Sequence, residues 1–148
     1  MAKIEQACEV FNDDIRWRIN HRFRTLYGYA FGGGPKPSKA LKEDTMKLLA
    51  EGLDMFTKEL EQNNGYWCDG ELTLADFNAF GFISLAHHMR LVDISEYETI
   101  YRWLQSLLKI TEVEEQYNNS RKACKKVLCL LTYVLPIVRC CTCACCRS

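Results

Sequence analysis

The spacing of apolar residues is the feature that most restricts how this chain can fold. Apolar side chains near the start recur at intervals of three and four residues: Ile4, Ala7, Cys8, Phe11, Ile15 and Ile19. This spacing places them on one face of a helix, so it predicts an amphipathic helix over about residues 2–26. The alternation of apolar and polar residues that is typical of a half-buried strand is not convincing anywhere in the chain.

Turn-forming residues separate this helix from the next one. The glycine- and proline-rich residues 32–37 interrupt the helical pattern, since neither residue type continues a helix cheaply. Ser38 is the predicted cap of a second helix, whose apolar residues again follow the helical period. Residues 63–65, which read Asn-Asn-Gly, are expected to end it.

The third helix has the clearest start in the sequence. Thr73 and Asp76 have the spacing of a capping box, in which each side chain accepts from the other residue's backbone amide. The apolar run that follows leaves no polar stripe, so we expect this helix to be buried on most sides. The box supplies partners for a carboxylate in an apolar helix, so Asp76 is predicted to serve folding rather than catalysis. Its replacement by alanine should cost roughly 1 kcal/mol or more.

Two more helices complete the predicted fold. A fourth helix is predicted to begin at Ser95, which with Glu98 three residues later forms a second candidate capping box. A fifth helix is expected from about Glu112, with a break at residues 118–120, which read Asn-Asn-Ser. The sequence therefore predicts an all-α bundle of about five helices.

Charge and cysteine are distributed unevenly along the chain. The formal net charge of the 148 residues is zero. Residues 1–120 carry 13 basic and 19 acidic side chains, a net charge of −6, whereas residues 121–148 carry six basic and no acidic ones. Seven of the nine cysteines also lie in that last segment. We therefore predict an acidic helical domain over residues 1–126 and a basic, apolar, cysteine-rich tail over residues 127–148.

Motifs of common catalytic sites are missing from the sequence. It has no nucleophile elbow, no zinc-protease motif and no phosphate-binding loop. His87 and His88 are adjacent, point about 100° apart on a helix and so cannot face one metal ion together. Near a helix C-terminus we expect them to interact with the helix dipole instead. We predict that this sequence contains no catalytic residue, no metal site and no cofactor site.

Basic residues of the first helix raise the question of nucleic-acid binding. Arg16, Arg18, Arg22 and Arg24 are interleaved with Trp17, a combination that occurs in nucleic-acid interfaces. Acidic residues share the helix, however, and residues 1–120 are acidic overall. We therefore expect these arginines to be solvated or paired within the protein, and we predict no nucleic-acid partner.

The cysteine tract at residues 140–146 leaves three interpretations open. Its thiolates could bind a soft metal, although paired zinc-finger spacing is absent. S-acylation beside an apolar, basic segment could attach the chain to a membrane surface. The abrupt change of composition favours the third interpretation, an altered C-terminus without a selected role.

Several features favour the cytoplasm as the location of the chain. The longest apolar run, residues 127–138, is shorter than the roughly 20 residues of a membrane-spanning helix. No secretory signal is recognisable at the start of the sequence. Residues 1–120 contain only Cys8 and Cys68, so this part is not held together by a disulfide framework.

Residues 67–77 resemble a signature of the C-terminal helical domain of cytosolic glutathione transferases. In that family a loop ending in Gly-x-x-Leu-Thr-x-Ala-Asp opens the central buried helix, and here the segment reads Trp-Cys-Asp-Gly-Glu-Leu-Thr-Leu-Ala-Asp-Phe. Residues 93–103 are similar to the family's Tyr-Pro-x-Val-x-x-Trp helix, with Glu98 in place of proline. Residues 118–122 resemble a segment near the C-terminus of insect delta- and epsilon-class members. The resemblance covers about residues 2–126.

The resemblance implies conjugation of glutathione to hydrophobic electrophiles. In the family, an N-terminal thioredoxin-like domain holds the catalytic hydroxyl and the glutathione site. We expect that domain to be missing from a truncated chain, which would then be inactive alone, with glutathione as co-substrate only if the domain is supplied. The helical domain lines the electrophile pocket largely from its first helix, and the candidates by position are Glu9, Asn12, Asp13 and Arg16.

A non-catalytic helical module for protein interaction is the alternative hypothesis. The faces of the first and third helices that pack on the thioredoxin-like domain in the family would leave an exposed apolar surface here. Such a surface is typical of an interface or of an aggregation-prone protein. We therefore expect a homodimer or another protein partner at this surface.

Overall fold

The computed structural model describes residues 1–31 and 35–131. Within these residues every regular element is helical. The longer elements are α1 (Ala2–Val10), a π-helical segment (Phe11–Arg16), α2 (Trp17–Tyr27), α3 (Lys39–Gln62), α4 (Leu74–His88), α5 (Glu98–Leu107) and α6 (Thr111–Cys129). Short 3-10 turns lie at Gly28–Phe31 and Ile94–Glu96. The predicted all-α bundle is confirmed, with α1, the π-helical segment and α2 together forming the first of its five helices.

The first helix has the predicted extent, but its hydrogen-bond pattern changes in the middle. The π-helical segment Phe11–Arg16 lies between α1 and α2, without a break in the helical path. Phe11, Ile15 and Ile19 are each at most 1% exposed, so the predicted apolar face is the buried one. A π turn widens the helix by one residue, and such turns are frequent at functional sites.

The boundaries of α3 agree with those expected from the turn residues. The Ser38 hydroxyl accepts a hydrogen bond from the Leu41 amide at 3.2 Å, which satisfies one of the unpaired donors of the first turn. At the other end the Gly65 amide donates to the Leu60 carbonyl at 2.7 Å. Asn64 adopts the left-handed conformation there, with φ at 54°. Asparagine tolerates this conformation better than most residues, which is why the Asn-Asn-Gly segment ends the helix.

Two predicted boundaries are wrong. The Ser95–Glu98 capping box does not form, because Ser95 lies in the 3-10 turn and α5 begins at Glu98. Asp93 is the capping residue here, and its carboxylate accepts from the Ser95 amide at 3.0 Å. The expected break at residues 118–120 is also absent, since α6 continues through them to Cys129. Asn and Ser cost only a fraction of a kcal/mol inside a helix, and burial of Val113 and Cys124 on either side outweighs that cost.

The centre of the bundle is an aromatic cluster around Phe56 of α3. The Phe56 ring lies 4.7 Å from Trp67, 5.0 Å from Trp103 and 5.8 Å from Phe11, measured between ring centroids. The pairs of Phe56 with Trp103 and with Phe11 are edge-to-face, and such pairs add to the stability that burial alone provides. The cluster therefore joins the first helical run, the loop after α3, and α5 to a single core.

The α4 helix is buried on most sides, as expected. Most of this helix is buried, including Ala79 and Ile83 at 0% exposure. One face is open to solvent, however, with Leu74 74%, Phe77 39% and Leu85 38% exposed. We call these three residues the α4 stripe. An apolar sequence without a polar face is therefore only partly covered by the described helices.

Candidate functional site

Asp76, the carboxylate that sequence analysis singled out, lies at the centre of a buried hydrogen-bond network. Its side chain is 0% exposed. One oxygen accepts from the Trp67 amide and from the Trp103 indole, both at 2.9 Å. The other accepts from the Thr73 amide at 3.0 Å and from the Thr73 hydroxyl at 3.1 Å. The carboxylate therefore joins the loop after α3, the start of α4 and the middle of α5.

The start of α4 is held by the capping box at Thr73 and Asp76. The Thr73 hydroxyl also accepts from the Ala75 amide at 3.2 Å. Every acceptor position of the Asp76 carboxylate is thus directed at a protein donor, and no solvent reaches it. A carboxylate in this arrangement positions three segments of the fold and has no surface to offer a substrate.

The four candidate pocket residues lie on α1 and the π-helical segment. Glu9, Asp13 and Arg16 are exposed, and Asn12 is half-buried. The Arg16 guanidinium lies 4.7 Å from the centroid of the Phe82 ring on α4, a cation–π contact. The Asn12 side-chain oxygen is buried without a hydrogen-bond partner among the described residues. The structure thus shows an exposed acidic pair, an arginine that packs on α4 and an asparagine whose side-chain oxygen is buried.

Arg16 and Phe82 form one end of what we call the α1–α4 seam, Cys8 and Asn78 form its other end, and Asn12 lies between Cys8 and Arg16 in the chain. The Asn78 side-chain nitrogen is, like the Asn12 oxygen, buried without a partner within the described part of the chain. Burial raises the pKa of the Cys8 thiol, and the neighbouring Asn78 side chain acts in the opposite direction. A raised pKa keeps the thiol protonated at neutral pH, so Cys8 is not poised as a nucleophile.

The arginines of the first helical run differ in their surroundings, and two of them are paired inside the protein. Arg18 donates to the Leu48 carbonyl at 2.8 Å and to the Glu51 carboxylate at 3.1 Å. Arg22 donates to the Leu91 carbonyl at 3.3 Å and to the Lys42 carbonyl. Burial lowers the pKa of Arg22. These two side chains hold α2 against α3 and the segment after α4.

The two histidines lie in the last turn of α4, as expected. His88 is only 8% exposed, and its ring lies 4.4 Å from that of Tyr117 on α6. Burial lowers the pKa of His88, and the nearby positive charges of His87 and Arg121 lower it further. The imidazole is therefore held in its neutral form more strongly than a solvated one.

The described part of the chain contains neither a cluster of metal-binding side chains nor a membrane-spanning helix. Within residues 1–31 and 35–131 no three metal-binding side chains come together. The same residues include no helix with the length and apolarity needed to cross a bilayer. Cys8, Cys68, Cys124 and Cys129 are free thiols. The cysteine tract at residues 140–146 lies outside the described residues, so its three interpretations stay open.

Comparison with known proteins identifies the family. Residues 20–110 match the family described as Glutathione S-transferase, C-terminal domain, and this is more than half of the chain. The chain belongs to this family. Comparisons with curated proteins and with solved structures gave no significant match. The matched residues contain most of α2 and all of α3, α4 and α5.

The family match bears differently on the two groups of candidate residues. Thr73 and Asp76 lie inside the matched range, so the buried network belongs to the glutathione S-transferase C-terminal domain. Glu9, Asn12, Asp13 and Arg16 all precede residue 20, so the match does not extend to them. Their assignment to an electrophile pocket stays a prediction.

Sequence reasoning missed the partners of Asp76 that lie far away in the chain. Trp67 and Trp103 are 9 and 27 residues from Asp76. The capping-box spacing points only to the local partner, Thr73. The available signal was chemical, because a buried carboxylate beside a helix start requires further donors and indole N–H groups are donors that are often buried.

Proposed function

We propose that this chain provides the electrophile-facing helical domain of a glutathione transferase. The family match over residues 20–110 carries the proposal. Glutathione conjugation in this family proceeds through the glutathione thiolate, which forms a bond to an electrophilic carbon as the leaving group departs. The described residues supply the helical half of such an active site. The proposal includes a relationship to the insect delta and epsilon classes, since residues 118–122 resemble a segment near the C-terminus of those members.

The α1–α4 seam supports an electrophile-facing role. The Arg16 guanidinium, held over the Phe82 ring, can donate to nitro or carbonyl oxygens of an electron-poor aromatic ring. These groups fit a polarised aromatic electrophile better than a purely aliphatic one.

A binding experiment tests the seam without requiring catalysis. The full chain is titrated with 1,3-dinitrobenzene, which has no leaving group, and its amide resonances are followed by NMR. We expect saturable shifts around Asn12 and Phe82. Arg16→Gln should weaken binding about fivefold, the effect of losing one hydrogen bond of roughly 1 kcal/mol. Arg24→Gln removes the same charge from an exposed position on α2 and should leave binding unchanged. Equal effects of the two variants would refute the seam.

The chain by itself should not catalyse the transfer. In the family the catalytic hydroxyl and the γ-glutamyl site belong to the thioredoxin-like domain, and we expect these 148 residues to lack them. Purified chain mixed with glutathione and a chlorodinitrobenzene should therefore give only the uncatalysed rate. Turnover well above that rate would show that these residues contain the chemistry, and would overturn this part of the proposal.

A non-catalytic interaction module is the second candidate, and the α4 stripe favours it. Leu74, Phe77 and Leu85 are all at least 38% exposed on one helix face. An exposed apolar stripe on an otherwise well-packed helix fits contact with a second copy of this chain or with another protein. The four free thiols of the described residues fit a reducing compartment, and we place the protein in the cytoplasm.

A further inference from the structure

A cavity of about 450 Å³ lies where the end of α4 meets α6 and the end of α2, away from the α1–α4 seam. Three positively charged side chains line it: Arg90, Arg121 and Lys125. His87 and His88 line it as well. Among the described residues, no acidic side chain contributes to its wall. We call it the basic cavity.

The cations of the basic cavity are not neutralised within the described part of the chain. The ion pairs among the described residues all involve other side chains, so Arg90, Arg121 and Lys125 have no carboxylate partner in this part of the chain. Arg121 and Lys125 are four residues apart on α6, which places them on one face of that helix. Like charges at this spacing repel each other, and a bound anion would remove that repulsion.

The histidines of the basic cavity carry buried nitrogen atoms without hydrogen-bond partners among the described residues. His88 is more than nine-tenths buried, and its Nε2 atom has no hydrogen-bond partner among the described residues. The Nδ1 atom of His87 is likewise buried and unpartnered. Buried polar atoms in native proteins nearly always have partners, and rotation of these imidazoles would turn both atoms towards a group held in the cavity.

The end of α4 does not itself require these cations. The Leu91 amide donates to the Ala86 carbonyl at 2.9 Å, and the Arg90 amide donates to the His87 carbonyl at 3.0 Å. These bonds are the two of a Schellman motif, which satisfies the last carbonyls of a helix. Arg90 occupies the left-handed position of this motif, with φ at 55°, where glycine is the usual residue. The Met89 carbonyl accepts from the Tyr27 hydroxyl at 2.9 Å.

We propose that the basic cavity binds a small phosphate monoester. A phosphate monoester carries a charge of about −1.5 to −2 at pH 7, which matches three unpaired cations better than a singly charged carboxylate does. Arginine and lysine are the residues that bind phosphate oxygens most often, and neutral imidazoles can donate to them as well. Tyr27 and Leu128 supply apolar wall for the organic part of the ligand.

The neighbouring cavity is a poorer candidate for an anion. It shares His87 and Arg90 with the basic cavity, but Asp93 and Glu96 also line it. Two carboxylates would repel a phosphate there. The anion is therefore expected on the α6 side of His87, next to Arg121 and Lys125.

Calorimetric titration of the full chain with phenyl phosphate at fixed ionic strength tests the site. We expect saturable binding of one equivalent. Replacing Arg121 and Lys125 together by Gln should weaken binding about tenfold or more, since each makes a charge-assisted contact. Replacing Lys122 and Lys126 by Gln removes the same charge from α6 outside the cavity and should change binding less than about twofold. No saturable binding, or equal weakening in both double variants, would overturn the proposal.

Two further measurements separate the site from general effects of charge and folding. Arg90→Gly should raise the melting temperature, because glycine adopts the left-handed position without strain, while it weakens phenyl phosphate binding. A variant that gains stability and loses affinity cannot be explained by misfolding. Unchanged affinity in this variant would count against the cavity. Inorganic phosphate and benzoate should each bind more weakly than phenyl phosphate, and benzoate binding of equal strength would overturn the assignment to a phosphate monoester.

Discussion

Asp76 accepts four hydrogen bonds while its side chain is inaccessible to solvent. Two of its donors belong to the local helix cap at Thr73, and the others come from Trp67 and Trp103. A lost helix cap typically costs about 1 kcal/mol, and that figure covers only the local part of this network. The distant donors are buried as well, and each would be left unsatisfied without the carboxylate.

Replacing Asp76 by alanine should therefore destabilise the protein by about 4 kcal/mol, because several buried donors lose their acceptor at once. Chemical denaturation of the purified variant measures this loss. Asp93→Ala is the matched control, since Asp93 also caps a helical turn but is exposed. The loss in that variant should be much smaller. Comparable losses in the two variants would mean that the distant donors contribute little.

His88 links stability to pH. Its pKa is lowered in the folded chain by burial, and then by the charges of His87 and Arg121. A backbone contact with Tyr117 acts in the opposite direction but does not outweigh these effects. The unfolded chain thus binds a proton near pH 6.5, where the folded chain does not yet bind one. The stabilising contribution of neutral His88 is present above about pH 6.5 and is lost as the pH falls through the folded-state pKa.

The free energy of unfolding should therefore fall as the pH is lowered below about 6.5, and the fall should be smaller in His88→Gln. Urea denaturation at a series of pH values measures this slope. His21→Gln serves as the control, because His21 lies on α2 and stacks on Trp17 at 5.3 Å, away from α6. An identical pH slope in the wild type and in His88→Gln would show that His88 is not responsible.

At the scale of elements, local signals were reliable where a side chain could satisfy the helix end by itself. Ser38 before α3 and Thr73 before α4 are such positions, and both cap their helices. Ser95 offered the same local pattern, but Asp93 takes the capping role two residues earlier, and α5 begins at Glu98. Asp93 caps the 3-10 turn and α5 begins without a side-chain cap, so the spacing of Ser95 and Glu98 alone did not locate the start of this helix.

The π-helical segment illustrates a limit of periodicity. The three- and four-residue spacing correctly predicts one helical run from Ala2 to Tyr27. It does not reveal that the hydrogen-bond pattern changes at Phe11–Arg16, because a π turn shifts the register by only one residue. Arg16, the last residue of this segment, packs on Phe82 of α4, so the segment contributes a side chain to the α1–α4 seam.

At the scale of the whole molecule, the described helices leave the α4 stripe uncovered. Helices in globular proteins usually bury an apolar face of this kind against another element. We therefore expect the purified chain to form dimers or larger species and to bind a hydrophobic dye. Sedimentation velocity and dye fluorescence measure these properties.

Replacing Leu74 and Leu85 together by Gln should reduce both association and dye binding. The control replaces Leu41 and Val127 by Gln, because these residues are similarly exposed at 44% and 40% but lie on other helices. The control variant should behave like the wild type. A strictly monomeric wild-type chain that binds no dye would contradict the prediction.

The sequence by itself determined the fold class, the number of helices, the capping box at Thr73 and the family resemblance. These features depend on contacts between residues that are close in the chain, so spacing and residue type are enough to recognise them. Only the tertiary structure decided which donors meet Asp76, which face of α4 stays exposed and which cations surround the basic cavity. Those groupings bring together residues from distant helices, such as Tyr27, Arg90 and Lys125, and their approach depends on how the helices pack.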